Sequence, residues 1–288
     1  MAATAYDPVR LSAHDIDALI GEDLPTGDLT TQALGLGGQP GRMTFHARTP
    51  LVTCGDAEAV RLLRRLGADV THACGTGTFA APDTLLLEAQ GGADALLAGW
   101  KLAQTVMEWA SGIATAAHGI VTAARAVSPT IAVTCTRKSV PFTRRLSLKA
   151  VMAGGAGVHR LGLSDSIMLF PEHRAFLGAD GLAPAVARLK AAVPERAVMV
   201  EVTSERDAFA AADAMADVIQ FEKFEPAALE GIVKAIEKRP DGRPILAAAG
   251  GITQQNAARF AETGVDTLVT SAPFYARPAE IRVRIETA

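Results

Sequence analysis

The chain has 288 residues, 49% of them hydrophobic and 20% charged, and a formal net charge of −3. This length can bury one large core or two smaller ones, and the acidic balance excludes a general nucleic-acid binder. No apolar run could span a bilayer, and the opening MAATAYDPVRLSAHDIDALI lacks the basic start and apolar core of a secretory leader, so the cytoplasm is the expected location.

In chain order, DIDALIGEDL reads as a helix, and RMTFHAR alternates as a half-buried strand with Met43, Phe45 and Ala47 on one face. DAEAVRLLRRLG is an amphipathic helix that opens on acidic residues and closes at Gly67. ADVTHA and DTLLLEA follow as strands, so the first part is an α+β layer on a mostly antiparallel sheet. From Ala93, Leu96, Trp100, Ala103, Met107 and Ala110 repeat at helical spacing, with an interruption expected near Ser111-Gly112. Cys54, Cys74 and Cys135 have no CxxC spacing and read as small buried hydrophobes, neither a disulfide framework nor a zinc site.

Beyond Pro129 the pattern becomes a regular alternation. IAVTC, SIMLF, AVMVEV, DVIQFE, PILAAA and DTLVT are short apolar strands, each followed by a helix or turn. Such βα repeats belong to an α/β barrel or a doubly wound sheet, and about six readable units do not complete an eightfold barrel. In the tail EIRVRIET, Ile281, Val283 and Ile285 share one face and are expected to return to the first sheet.

Barrel chemistry sits at the C-terminal ends of the strands. Here those ends carry Arg137-Lys138, Glu201, Glu222, Gly250-Gly251 and Ser271-Ala272. A second pair, His159-Arg160, follows a glycine-rich turn. The pairs could be solvated surface charge, but four cations from successive loops suit an oxyanion. Between them, Arg144, Arg145 and Lys149 read as solvated helix charges, with an inward turn open to Arg145 or Lys149. Gly250-Gly251 could be a tight turn only. With Thr253 as N-cap and a second turn at Ser271 it also fits a paired phosphate site. Glu201 and Glu222 could pair with Arg137 or Arg160, or hold ribose hydroxyls and a hydrated magnesium ion. A 5′-phosphate, a ribose and a second polyanion are the three parts of phosphoribosyl pyrophosphate. The expected cofactor is therefore Mg2+ carried with that substrate, with no direct protein ligand to the metal and Glu201 and Glu222 nearby.

GEDLPTGDLTT, SGIAT, TRKSVP, AGGAGVHRLGLSD, VEV, AAGGI and TGVDTLV occur in the order of the quinolinate phosphoribosyltransferase family, which the chain resembles over nearly its whole length. The resemblance implies an N-terminal α/β sandwich (1–112, with a return at 274–288) plus an open, incomplete α/β barrel (113–273) with phosphate-binding strand ends. It implies a homodimer whose active sites are shared, with higher assembly open, small-molecule substrates, and neither nucleic acid nor membrane insertion. Arg137, Lys138, His159, Arg160 and Glu201 stand where the family has the same residue types, and Lys101 stands where it has an arginine contributed by the partner subunit.

The implied roles are catalytic for Lys138, Glu201 and Glu222, and substrate-binding for Lys101, Arg137, His159 and Arg160. Gly250, Gly251, Ser271 and Ala272 would bind phosphate. Glu222 replaces an aspartate, Ala247 and Ala249 replace Glu and Ser, and Phe274-Tyr275 replaces Thr-His. Phe170, in MLFPEH, stands where the family's LIKDNH has a lysine, which removes a charge partner for a dicarboxylate. The combination of EDLPTGDLTT, WKLAQ with EWASGIAT, and LFPEHRAFL resembles the ModD branch of the family, pyrophosphorylase-like proteins associated with molybdenum-transport operons. The expected activity is transfer of ribose 5-phosphate to an aromatic nitrogen acceptor related to quinolinate, with release of pyrophosphate. Two alternatives stay open on the residues: a non-catalytic protein for an oxyanion or molybdenum ligand, and a lyase using Lys138 as a Schiff-base amine.

Overall fold

The computed structural model describes residues 9–177, 181–237 and 242–288. Residues 1–8 of the opening segment lie outside the described residues. The elements run α1 (Ala13–Asp23), α2 (Leu29–Leu34), β1 (Pro40–Ala47), β2 (Leu51–Val52), α3 (Asp56–Arg65), β3 (Asp69–Ala73), β4 (Phe79–Ala80), β5 (Leu85–Gly92) and α4 (Ala93–Arg125). They continue as β6 (Ala132–Cys135), α5 (Arg144–Ala153), β7 (Gly157–Val158), β8 (Ile167–Leu169), α6 (Pro171–Arg174), α7 (Leu182–Ala192) and β9 (Val198–Val202). Then come α8 (Glu205–Asp213), β10 (Val218–Glu222), α9 (Pro226–Glu237), β11 (Ile245–Ala249), α10 (Ala257–Ala261), β12 (Thr267–Thr270) and β13 (Ile281–Thr287).

One compact unit holds the chain up to His118 together with Ser139–Gly155 and Pro273–Ala288. Its main sheet has the order β13-β1-β5-β3 and is antiparallel throughout. Alternation decides which face is buried. Met43, Phe45 and Ala47 are fully buried, and opposite them stand Ile285, Val283 and Ile281 of the returning C-terminal strand. Leu63 of α3 and Leu96, Ala103 and Met107 of α4 complete this core. Two caps fix the first helices: Ser12 and Asp15 form a reciprocal box on α1, and Asp28 of the PTGDLTT motif accepts from the N–H groups of Thr30 and Thr31 on α2.

The expected break at Ser111-Gly112 is absent, because α4 is one 33-residue helix. Both residues serve packing instead. The Ser111 hydroxyl donates to the Cys54 carbonyl (3.1 Å) and accepts from the Cys54 N–H (3.0 Å). A Cβ on Gly112 would come within 2.3 Å of the Arg277 carbonyl oxygen, so a small residue is required in mid-helix. Nor is Lys149 a solvated charge. Its ammonium lies 2.8 Å from both Glu58 carboxylate oxygens, where the two side chains are only 12% and 1% exposed. Arg145 pairs with Asp15 at 2.9 Å.

The second unit holds Gly119–Lys138 and Ala156–Ala272. Its seven-stranded sheet has the order β7-β6-β12-β11-β10-β9-β8, and every pairing in it is parallel. Val198, Val200, Val202, Ile219, Phe221, Leu246 and Leu268 are fully buried, as strands covered on both faces require. The strands β7 and β8 end the order and, among the described residues, do not pair with each other, so the barrel is open. Six of the seven strands were legible, while β7 is a two-residue strand hidden in the glycine-rich AGGAGV. Because β12 inserts beside β6, the Thr136 N–H donates to the Thr270 carbonyl (3.0 Å), joining the first and last strand ends of the unit. All seven strands point their C-terminal ends to one rim. No described helix is long and apolar enough to cross a membrane.

Candidate active site

The rim of the second unit encloses a cavity of about 640 Å³. Ten of the sequence-predicted residues line it: Arg137, Lys138, His159, Arg160, Glu201, Glu222, Gly250, Gly251, Ser271 and Ala272. Lys101 belongs to the other unit. There its ammonium donates to Gln104 Oε1 (2.9 Å) and lies 4.0 Å from the centre of the Trp100 ring.

The cationic side of the cavity comes from β6 and β7, which pair directly. The His159 N–H donates to the Cys135 carbonyl (3.0 Å), which holds the second basic pair beside the first. Arg160 is 7% exposed, and among the described residues it forms neither a hydrogen bond nor an ion pair. Its guanidinium sits 5.1 Å from the centre of the Phe170 ring, which in turn stacks on His173 at 5.7 Å. A guanidinium has five donors and holds its charge when buried, so an unpaired one in a cavity wall calls for an anion. His159 corrects the reading of four cations. Burial, then the neighbouring Arg160 charge, lowers its pKa below the ordinary imidazole value, which disfavours its charged form.

The acidic side comes from β9 and β10, where Glu201 and Glu222 end adjacent strands. Desolvation, followed by the charges of Glu222 and Glu172, raises the Glu201 pKa, while Gln220 and Lys138 pull it down. Gln220 Nε2 donates to Glu201 Oε2 at 2.8 Å.

Gly250 and Gly251 both take the left-handed conformation (φ 91° and 72°). A Cβ on Gly250 would lie 2.6 Å from Lys223 Cγ and 2.9 Å from Lys223 N, so only glycine fits there. Two details of the phosphate reading change. The helix after the glycine pair is α10, starting at Ala257 and not at Thr253, because the Asn256 side chain accepts from the Thr253 N–H (2.7 Å) and donates to the Gly251 carbonyl (2.9 Å), bridging an extra turn. The Ala272 N–H is already bonded to Thr270 Oγ1 (3.0 Å).

Gln220, Lys223, Glu172 and His173 also line the cavity and were missed as site residues. A signal existed for two of them: Gln220 is the lone polar residue inside the apolar VIQF, and Lys223 immediately follows its strand, closer than Arg137 stands to β6.

The chain matches the models for the N-terminal domain (residues 28–111) and the C-terminal domain (residues 113–283) of quinolinate phosphoribosyl transferase. It is 53% identical to a Rhodobacter capsulatus protein named pyrophosphorylase ModD, over 86% of this chain and 95% of that one. It is 31% identical to human nicotinate-nucleotide pyrophosphorylase [carboxylating], over 96% and 92%. Its fold matches a crystal structure of NadC from Streptococcus pyogenes with a TM-score of 0.86 at 26% identity, covering 97% of this chain and 99% of that one. An open barrel with this rim, among such relatives, is an enzyme of the pentosyltransferase class. More narrowly, the chain belongs to the quinolinate phosphoribosyltransferase family.

Proposed function

We propose that this chain transfers ribose 5-phosphate from phosphoribosyl pyrophosphate to an aromatic nitrogen acceptor related to quinolinate. The observation that carries this reading is Arg160, a buried guanidinium that among the described residues forms neither a hydrogen bond nor an ion pair and faces a cavity that also offers two carboxylates and a glycine-pair turn. In the reaction, the bond from the anomeric carbon to the pyrophosphate oxygen breaks and the electron pair leaves with pyrophosphate. The acceptor nitrogen supplies the pair for the new carbon–nitrogen bond. Arg137, Lys138 and Arg160 neutralise the anionic groups of leaving group and acceptor, with His159 as a hydrogen-bonding partner. Glu201 and Glu222 accept from the ribose hydroxyls and place negative charge beside the developing oxocarbenium. Gly250, Gly251 and Ser271 offer backbone to the 5′-phosphate.

Magnesium bound to pyrophosphate would stabilise the leaving charge. The residues fit such a metal–substrate complex: Glu201 and Glu222 are hard oxygen donors, and burial followed by the Glu222 charge raises the Glu201 pKa, so a nearby cation is favoured. Phe170 and His173 offer the acceptor a stacked aromatic wall. The working form is a cytoplasmic homodimer in which Lys101 reaches the neighbouring subunit's site. Mixing Lys101→Ala chains with Lys138→Ala chains should restore activity in the hybrid dimer, and no recovery would refute shared sites. The reaction itself is tested by screening aromatic acids and azoles for pyrophosphate release that needs both magnesium and phosphoribosyl pyrophosphate. Release with no acceptor dependence would contradict transfer.

A further inference from the structure

Resting on that reading, we infer that Lys223 is a ligand for the phosphate monoester, supplying the ammonium that the glycine-pair turn lacks. Lys223 directly follows β10 and has φ 59°, a left-handed conformation that disfavours a residue with a Cβ and suits glycine. Its N–H donates to the Ala249 carbonyl at 2.8 Å, which ties this conformation to the neighbouring strand. Its stem is fixed as well. The side chain passes so close to Gly250 that a Cβ there would meet Lys223 Cγ at 2.6 Å. Gly250 and Lys223 are thus matched: the glycine leaves room for the lysine stem, whose Cγ lies against the phosphate turn.

Lys223 lines the cavity, is exposed, and among the described residues its ammonium has no ion pair. A solubilising lysine needs neither a strained backbone nor a glycine cut to fit its stem. A lysine placed to meet a phosphate beside Gly250 and Gly251 needs both. The ligand class is a phosphate monoester at the sugar end of the substrate. The pyrophosphate end is left to Arg137, Lys138 and Arg160 on the opposite strands.

Calorimetry with ribose 5-phosphate and, separately, with magnesium pyrophosphate separates the two ends. Lys223→Met should weaken ribose 5-phosphate binding about tenfold or more, since the lost contact is a charge-assisted hydrogen bond. Pyrophosphate binding should change less than threefold. Lys223→Gly should lose ribose 5-phosphate in the same way while melting at or above the wild-type temperature, because the strain is relieved. Wild-type ribose 5-phosphate affinity in Lys223→Met, or equal losses for both ligands, would overturn the assignment and leave the transferase reading intact. Failure of the wild-type protein to bind ribose 5-phosphate, pyrophosphate and phosphoribosyl pyrophosphate would overturn both. A Lys223→Gly protein that melts well below the wild type would make the residue structural and also overturn it.

Discussion

Gln220 and Glu201 face each other across neighbouring strands, and the Gln220 amide donates to the Glu201 carboxylate at 2.8 Å. Gln220 is 5% exposed, and its other amide atom, Oε1, is buried without a partner. The amide is thus committed to Glu201. It offsets part of the burial and like-charge repulsion that push the Glu201 pKa up.

The sign of the pH effect follows. A carboxyl whose folded pKa lies above its unfolded value binds its proton more tightly in the folded state, so stability falls as pH rises from the ordinary carboxylate range through the raised folded value. Glu201→Gln should therefore melt above the wild type at neutral pH, and the difference should vanish below the ordinary carboxylate range. Gln220→Leu should push the Glu201 titration higher still. Thermal melts of the three proteins against pH test both outcomes.

Arg160→Met should show the same opposition between stability and binding. Removing a guanidinium buried without an ion pair among the described residues should outweigh the lost Phe170 contact and stabilise the protein by roughly 1 kcal/mol, about 2–4 °C in melting temperature, while anion binding is lost. A lower melting temperature would mean that the Phe170 ring and the charges of Asp165 and Glu201 hold Arg160 structurally.

The two glycines of the phosphate turn should differ. Gly251 has open space around it and only a left-handed φ, so Gly251→Ala should cost about 1 kcal/mol. Gly250→Ala adds a collision with Lys223 backbone and stem, and should cost about 2–4 kcal/mol. Denaturant titration of both variants gives the comparison.

In the first unit, Lys149→Met strands the buried Glu58 carboxylate and should cost about 3–5 kcal/mol. The double variant Lys149→Met with Glu58→Leu should recover much of that loss, because both charges then leave the interior together. Equal losses in the single and double variants would show that packing, and not charge, holds this helix.

The strands were legible because burial on both faces writes continuous apolar runs, as in AVMVEV and PILAAA, and because cations and carboxylates stand directly at their ends. What escaped depended on contacts distant in sequence. The helix through Ser111-Gly112 survives because Cys54 and Arg277 pack against it, and neither is visible from local pattern. Lys149 sits in a run of helix charges and is distinguished only by Glu58, 91 residues earlier. The Ala272 amide is bonded to Thr270, which folds back on it, and the lowered pKa of His159 comes from burial that composition does not reveal.

Phe170 stands where the family resemblance places a lysine. The Arg160–Phe170 contact should contribute up to about 2 kcal/mol, since the cation is desolvated. Phe170→Lys should replace that contact with a second positive charge and improve binding of pyridine-2,3-dicarboxylate by about tenfold, or about 1.4 kcal/mol. Unchanged dicarboxylate affinity in Phe170→Lys would show that this wall does not face the acceptor.

The most direct test of phosphoribosyl transfer is calorimetric titration of phosphoribosyl pyrophosphate with magnesium into the wild-type protein and into Arg160→Met, with molybdate titrated in parallel. Saturable binding of phosphoribosyl pyrophosphate by the wild type, weakened at least tenfold in Arg160→Met and with no comparable molybdate binding, is the expected result. Saturable binding of molybdate with none of phosphoribosyl pyrophosphate would contradict it.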